Sequence, residues 1–202
     1  NRAEHIVKVL RSEVGDRVRV GVINGNRGTG TILAMKKKYP FSVELEVTLS
    51  ETTFSEPPLD LILALPRPIM LKRIFTQVVA LGIGTIHLVH AKRVEKSFWD
   101  ANILQEDEYR PHLLHGLEQA VDTRVPQVHI HRRFKPFIED YYPVHCKEYS
   151  FQILADPGGQ TKLGDVITEN CRRGIVAIGP EGGWVDYEVE KFSEQGYVNC
   201  TI

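Results

Sequence analysis

The segment "GIVAIGPEGGWVDYEVEKF", residues 174–192, is the most informative part of the chain about its fold. Its apolar run, residues 175–178, predicts a buried strand that breaks into Gly179-Pro180-Glu181-Gly182-Gly183 before a helical segment. A simple strand-to-helix turn needs one glycine, so the adjacent pair indicates that something packs where a Cβ would stand. Free backbone N–H groups in such a turn suit the polar atoms of a ligand.

Predicted strands and helices alternate over the rest of the second part of the chain. Apolar, β-branched runs predict strands over 59–65, 85–90, 127–130, 150–155 and 174–179. Helical spacing predicts helices over 67–82 and 112–124, with further helical segments near 133–140 and 163–173. The alternation predicts an α/β domain with a mostly parallel sheet. Such sheets bind ligands beyond the carboxyl ends of their strands, where the 179–183 turn falls.

The front of the chain has a different pattern. A helical segment, 3–11, precedes three β-rich runs separated by turn signals, 18–23, 28–35 and 41–49. These predict a small β-barrel that ends at the joint Glu56-Pro57-Pro58. We therefore expect two domains, 1–57 and 58–202.

Charge is divided unevenly between the two parts. Residues 1–38 carry nine Lys and Arg against three acids, a net charge of +6, and the remaining residues sum to −7. This asymmetry favours a polyanion partner for the front part, although a solvated charged face gives the same pattern. The three separated cysteines, Cys146, Cys171 and Cys200, favour a cytoplasmic location over a disulfide framework.

Other common motifs are discounted. Gly82-Ile83-Gly84 follows a helix and is not a dinucleotide fingerprint, and the segment 157–165 lacks the GK[ST] of a phosphate loop. Histidines recur as pairs at 87/90, 112/115 and 129/131, but none has a cysteine or a second pair at ligand spacing. We expect no metal site.

Four blocks in order along nearly the whole chain resemble one known family. They are "EHIVKVLRSEVGDRVRV" (4–20), "IFTQVVALGIGTIHLVHAKRVEKS" (74–97), "LEQAVDTRVPQV" (117–128) and "IGPEGG" (178–183) followed by "YEVEKFSEQGY". Together they are similar to the RsmE-type 16S ribosomal RNA uridine-N3 methyltransferases of the knotted SPOUT superfamily.

The resemblance implies a fold and an activity. It implies an N-terminal PUA-like, RNA-binding β-barrel, a C-terminal α/β SPOUT domain with a deep trefoil knot, and a homodimer. It also implies S-adenosylmethionine as methyl donor. The expected reaction is direct in-line transfer to N3 of the uridine at position 1498 of the 16S rRNA in the small ribosomal subunit.

Site residues are carried over by position. The cofactor-binding set is the turn with the neighbouring strand ends: Leu154, Ile178, Gly179, Pro180, Glu181, Gly182, Gly183 and Trp184. The basic positions expected to hold RNA phosphates are His5, Lys8, Arg11, Arg93 and Arg124. A structural ion pair is the alternative for the last two, and core packing is the alternative to base stacking for Trp184. No side chain stands out as a general base.

The chain also departs from the family pattern. Val185 replaces the small polar residue after Gly-Gly-aromatic, so we expect Asp186 to cap the helix. The family continues into "LG.RILR.ETA" where this chain reaches "GYVNCTI", so we expect the knot-closing segment to lie beyond Ile202. Two other functions stay open: a non-catalytic RNA-binding and dimerisation module, or a knotted methyltransferase acting on another RNA.

Overall fold

The computed structural model describes residues 2–52, 57–146, 149–169 and 171–201, which form two compact units. One unit comprises Asn1–Phe54 with Val121–Arg124, and the other comprises Ser55–Ala120 with Val125–Ile202. The predicted joint begins at Glu56, which lies outside the described residues, as does Ile202. The exact domain boundary stays a prediction.

The first unit is built on an antiparallel sheet. Its elements are α1 (Arg2–Lys8), β1 (Arg17–Gly21), β2 (Arg27–Lys36) and β3 (Ser42–Glu51). The sheet order is β1-β2-β3. Val18 and Ile32 point inward and are buried, while Arg17 and Arg19 alternate with Val18 and are exposed. The predicted β-rich front part is confirmed.

A distant segment completes the first unit. The main chain of Thr123 accepts a hydrogen bond from Asn24 N–H at 2.8 Å, and its hydroxyl donates to the Gly25 carbonyl at 2.6 Å. Arg27 donates to the Val121 carbonyl at 3.0 Å. The helix predicted over 112–124 is therefore wrong at its end, because the helix stops at residue 120 and Val121 takes a left-handed φ of 54°.

The second unit is a parallel sheet with helices. Its strands are β4 (Leu59–Ala64), β5 (Ile83–Val89), β6 (Gln127–His131), β7 (Phe151–Ala155), β8 (Thr161–Lys162), β9 (Gly174–Ile178) and β10 (Val198–Thr201). Within the described residues they form one sheet in the order β6-β5-β4-β9-β7-β10-β8, and every pairing is parallel. The predicted α/β class is confirmed.

Helices and helical turns connect these strands. The α-helices are α2 (Pro68–Ala80), α3 (Glu106–Ala120), α4 (Phe134–Pro136), α5 (Tyr142–His145), α6 (Leu163–Val166) and α7 (Asp186–Glu194). Two 3₁₀ turns, Lys96–Asp100 and Asn102–Leu104, precede α3, and a π-helical turn, Phe137–Tyr141, separates α4 from α5. The helix predicted over 163–173 is wrong after Val166, and β8 and β10 are two strands that the sequence patterns did not predict.

The core lies around the central strand. Residues 61–64 of β4 are all buried, as expected for a parallel strand covered on both faces. α2 buries Leu71, Phe75 and Val79, which recur at the four-residue spacing of a helix face, and Phe75 contacts Tyr109 of α3. Within the described parts of the chain, no helix combines the length and the apolar character needed to cross a membrane.

Candidate functional site

The site is built at the edge of the sheet where the parallel strands end, here called the carboxyl edge. Ile178, the last residue of β9, pairs with Leu63 on one side and Ala155 on the other. The loops that follow β4, β7 and β9 therefore start beside one another. The loop after β9, Gly179–Gly183, is the predicted ligand-binding segment and is called the glycine turn below.

Each glycine of this turn meets a specific constraint. A Cβ on Gly179 would lie 3.1 Å from the indole nitrogen of Trp184, and one on Gly182 would lie 3.0 Å from Cδ of Arg93. Gly183 has a φ of +77°, which disfavours any side chain, and its N–H donates to the Pro180 carbonyl at 2.8 Å. The close packing that the sequence indicated thus comes from two side chains of the protein itself.

Backbone N–H groups remain available in the turn. Among the described residues, no hydrogen-bond acceptor lies against the N–H groups of Glu181 and Gly182, and both residues are exposed. Ile178, next to them, is 39% exposed. The turn can therefore present donors to a polar ligand.

Trp184 is a core residue with one unsatisfied polar atom. It is 6% exposed and packs edge-on against Phe192, with ring centroids 5.0 Å apart. Its indole N–H is buried and has no hydrogen-bond partner in the described parts of the chain. Burial without a partner is costly for such a donor. Core packing thus applies rather than stacking on a base, and the free N–H beside Gly179 is the feature that points to a ligand.

Two side chains tie the glycine turn to the loop after β5. Arg93 donates through Nη1 to the carbonyls of Gly182 and Trp184, the latter at 3.3 Å. Glu188 is 2% exposed and accepts from the Lys92 N–H at 2.7 Å and from the Val185 N–H at 3.0 Å. The expectation that Asp186 caps α7 is wrong, because Asp186 is already the first helical residue and Glu188 satisfies the N–H at the helix start.

Glu181 lies on the surface and pairs with a neighbouring loop. Its carboxylate is 3.1 Å from the Arg67 guanidinium, and both side chains are more than half exposed. Exposed ion pairs contribute little to stability. This pair therefore links the loops after β4 and β9 without fixing either of them.

Leu154 is placed differently from the turn residues. It is 1% exposed, and it pairs with Ala177 in β9 and with Asn199 in β10. Its side chain belongs to the core.

The loop after β7 supplies polar groups that the sequence analysis did not assign. Asp156 accepts from Gly158 N–H at 3.1 Å and from the Asn199 amide at 3.3 Å, while the amide oxygen of Asn199 is buried without a partner in the described residues. The sequence contains a pattern that could have identified this loop. A buried strand is followed by Asp156-Pro157-Gly158-Gly159, as β9 is followed by the glycine turn.

The basic residues predicted to bind RNA fall into two groups. His5, Lys8 and Arg11 are exposed in the first unit, where Lys8 pairs with Glu4 at 2.7 Å. In the described ranges, no carboxylate forms an ion pair with Arg11, Arg17 or Arg19, and all three are exposed.

The other two predicted basic residues already have intramolecular partners. Arg124 lies 3.1 Å from the carboxylate of Asp122, with both side chains mostly buried, and Arg93 binds the two carbonyls described above. Arg124 thus forms the ion pair given as its alternative, whereas Arg93 binds carbonyls and forms no ion pair among the described residues; phosphate binding by either residue stays a prediction. For His5, Lys8 and Arg11, RNA binding stays a prediction.

A histidine cluster occupies one side of the sheet, on β5 and β6. His87 and His131 approach to 3.2 Å between ring nitrogens, and His129 stacks on His87 with centroids 5.2 Å apart. Burial, and then the neighbouring histidines, lower the pKa of His87 to about 3 and that of His131 to about 4. In the described residues, no group of three or more His, Cys, Asp or Glu has the geometry to hold a metal ion. All three cysteines are free.

Comparison with known families defines the class of protein. A model of the RNA methyltransferase domain matches residues 54–202, and a model of the RNA methyltransferase PUA domain matches residues 1–45. The chain therefore belongs to the RNA methyltransferases that carry an N-terminal PUA domain.

Individual relatives narrow the class. The chain is 31% identical over 200 residues to ribosomal RNA small subunit methyltransferase E of Treponema pallidum, covering 96% of this chain and 72% of that protein. It is 24% identical over 201 residues to ribosomal RNA small subunit methyltransferase E 1 of Borreliella burgdorferi, covering 100% and 81%. The chain therefore belongs to the ribosomal RNA small subunit methyltransferase E family, and the predicted family is confirmed.

A solved structure shares the fold. The crystal structure of a ribosomal RNA small subunit methyltransferase E from Neisseria gonorrhoeae bound to S-adenosyl methionine superposes with a TM-score of 0.75 at 19% identity. The superposition covers 100% of this chain and 80% of that one. The likeness extends over both units of the present chain.

Proposed function

We propose that this chain transfers the methyl group of S-adenosylmethionine to N3 of a uridine in 16S ribosomal RNA. Methylation of small-subunit rRNA with this donor is the activity of the family to which the chain belongs. The atom that receives the methyl group, the residues that hold the donor and the homodimer are our proposals. The observation that carries the donor site is the glycine turn at the carboxyl edge, beside the indole N–H of Trp184, which is buried and has no partner among the described residues.

The residues present fit the donor. Its amino-acid and nucleoside parts carry oxygen and nitrogen acceptors, and the glycine turn offers the N–H groups of Glu181 and Gly182 with the indole N–H of Trp184. Ile178 is partly exposed at the same edge and offers apolar contact. We assign donor binding to these residues, to Gly179, Pro180 and Gly183, and to the main chain at Leu154.

Bound S-adenosylmethionine supplies an electrophilic methyl group that is transferred in one displacement. The residues of this chain then have to hold the two reactants in line and exclude water, and positioning of this kind contributes several kcal/mol to rate. A carboxylate beside the sulfonium would stabilise the positively charged ground state more than the transition state. We therefore give Glu181 a role in linking the loops, through Arg67, and none in the methyl transfer itself.

The first unit is proposed to hold the RNA. Arg11, Arg17 and Arg19 are exposed and form no ion pair within the described residues, so their charges are available to phosphates. Arg17 and Arg19 lie two residues apart on one strand and therefore share a face of the sheet. Such contacts position the RNA without selecting its sequence.

A homodimer and a knotted chain path complete the proposal. Three large apolar side chains on or after α2 are exposed, Ile69 at 77%, Met70 at 40% and Leu81 at 70%, which supports a surface that a second copy covers. The position of β10 between β7 and β8, with β9 on the far side of β7, supports a knotted path for the last part of the chain. Light scattering tests the dimer: we expect twice the mass of one chain.

The test of the proposed function is a methyl-transfer assay on small ribosomal subunits with labelled S-adenosylmethionine, followed by digestion to nucleosides and mass spectrometry. We expect 3-methyluridine as the product. Label on a ribose oxygen or on C5 of a pyrimidine would contradict the proposed target atom. RNA binding with no transfer would contradict the enzyme proposal and favour a non-catalytic RNA-binding module.

A further inference from the structure

Arg93 and Glu188 form a clamp between two loops at the carboxyl edge. Arg93 belongs to the loop after β5, and the glycine turn follows β9, so the contact joins segments about ninety residues apart in the chain. Glu188 makes a second connection between the same two loops, because its carboxylate accepts hydrogen bonds from both the Val185 N–H and the Lys92 N–H. The glycine turn is therefore held at its carbonyls by one side chain and at its end by another.

The buried half of the clamp is Glu188. Its side chain is 2% exposed, and each of its two oxygens accepts one backbone N–H, at 2.7 and 3.0 Å. A buried carboxylate with both oxygens hydrogen-bonded is a rigid connection, because breaking either bond leaves a buried charge poorly solvated. It fixes the position of Lys92, and hence the place from which the next residue, Arg93, extends.

The exposed half of the clamp is Arg93. Its Nη1 donates to the Gly182 and Trp184 carbonyls, and its Cδ lies where a Cβ of Gly182 would be crowded at 3.0 Å. In the peptide unit between Gly182 and Gly183, the carbonyl is held by Arg93 and the N–H by the Pro180 carbonyl. The carbonyl and N–H of a trans peptide point to opposite sides, so the plane of this peptide is fixed from both.

Fixing this peptide matters because glycine is otherwise free to rearrange. Gly183 sits at a φ of +77°, and glycine populates several other backbone conformations about as readily. A turn that must first be ordered binds its ligand more weakly than one already in the binding conformation. The clamp removes that ordering step.

We propose that Arg93 is a positioning residue for the S-adenosylmethionine site, acting through the Gly182 carbonyl, and that Glu188 supports it. The proposal rests on the proposed function of the glycine turn. It replaces the sequence-based expectation that Arg93 binds an RNA phosphate, since the two acceptors of its guanidinium are the backbone carbonyls of Gly182 and Trp184.

Two variants separate positioning from phosphate binding. Arg93→Ala removes the clamp and the charge. Arg93→Lys keeps the charge, which suffices for a phosphate, but loses the planar guanidinium that binds two acceptors. Lys96→Ala is the matched control, because it removes an exposed positive charge three residues away that has no partner among the described residues.

The experiment is calorimetric titration of each full chain with S-adenosylmethionine, paired with titration of a small-subunit rRNA fragment at several salt concentrations. We expect Arg93→Ala and Arg93→Lys to bind the donor about 10-fold more weakly, with RNA affinity and its salt dependence unchanged. Lys96→Ala should match the parent toward the donor. Arg93 is exposed, so the variants should stay folded, as thermal unfolding checks.

Other outcomes are equally decisive. Unchanged donor affinity in Arg93→Ala overturns the clamp and leaves the proposed function standing. Weaker RNA binding in Arg93→Ala that Arg93→Lys restores assigns Arg93 to a phosphate and likewise overturns the clamp. A parent chain that binds no donor at all overturns the proposed function and the clamp with it.

Discussion

At the amino ends of the strands, Asp60 is completely buried and both of its oxygens are paired, whereas at the carboxyl ends Trp184 is almost as buried and its N–H has no partner among the described residues. Asp60 accepts from Thr85 N–H at 2.8 Å, from the Tyr149 hydroxyl at 2.6 Å and from Arg173 at 2.6 Å. These two buried polar groups at opposite ends of the same sheet are thus satisfied to different degrees.

The difference shows what each end contributes. Fully paired buried polar groups stabilise a fold, because no desolvation cost remains uncompensated. A buried donor that has no partner among the described residues costs free energy, and such costs concentrate at binding sites. The amino end anchors the sheet, and the carboxyl end keeps donors available for a ligand.

The largest expected effect comes from breaking the amino-end anchor. Asp60→Ala leaves the Thr85 N–H and the Tyr149 hydroxyl without their acceptor and Arg173 without its carboxylate. We expect a loss of about 3 kcal/mol in the free energy of unfolding, measured by urea denaturation. Surface Glu194→Ala is the control and should cost less than about 1 kcal/mol. Equal costs for the two variants would contradict the anchoring role.

The next effect comes from the carboxyl end, through the backbone of the glycine turn. Gly183→Val forces a β-branched side chain into a left-handed φ, so we expect donor affinity to fall about 10-fold or more, while stability falls by about 1–2 kcal/mol. Space is not the constraint, because only Arg93 Nη1, at 3.7 Å, approaches an added Cβ. Gly164→Val is the control, since Gly164 has open space and an ordinary φ. Donor affinity equal to that of the parent would remove the turn from the site.

The pH dependence of stability tests the histidine cluster on β5 and β6, which belongs to neither end of the sheet. The pKa of His87 in the folded chain is about 3, well below the value near 6.5 of an unfolded chain, so below pH 6.5 the unfolded state binds the extra proton. The contribution of neutral His87 to the free energy of unfolding is therefore complete above pH 6.5. It decreases as the pH drops toward 3, by up to about 1.4 kcal/mol per pH unit.

The His87→Gln variant isolates that contribution. We expect its melting temperature to change less between pH 7 and 5 than that of the parent, because the proton uptake on unfolding is reduced. Identical pH dependence in the two chains would show that His87 is not the group responsible.

The smallest expected effect on donor affinity comes from removing the indole N–H of Trp184. Trp184→Phe keeps an aromatic ring against Phe192 but removes the buried N–H. We expect the free energy of unfolding to fall by about 1–2 kcal/mol, because the smaller ring fills less of the core, and donor affinity to fall about 5-fold. Unchanged donor affinity would mean that the indole N–H stays unpaired in the complex.

Local sequence patterns predicted most of the fold because they encode local structure. β4, β5, β7 and β9 lie where apolar runs placed them, and the 67–82 segment forms α2. The segment 163–173 carries Leu163, Val166 and Ile167 at helical spacing, but the helix ends at Val166 and none of its residues is buried, so no core packing extends it. β8 and β10 are short and exist through pairing with each other and with β7, which no local pattern shows.

The candidate site was predicted only where local sequence encodes it. Two adjacent glycines after a buried strand marked the turn. The contacts of Arg93 with residues 182 and 184, and of Glu188 with Lys92, join distant segments, so the sequence alone left Arg93 among the RNA-binding candidates. The return of residues 121–124 to the first unit is equally non-local.

The central claim is that the glycine turn at the carboxyl edge binds S-adenosylmethionine. Its most direct test is nuclear magnetic resonance of the isotope-labelled chain titrated with the donor. We predict that the amide signals of Glu181 and Gly182 and the indole N–H of Trp184 shift strongly, while those of Asp60 and Thr85 at the amino end stay in place. Strong shifts at the amino end, or none at the turn when the donor is bound, would contradict this account.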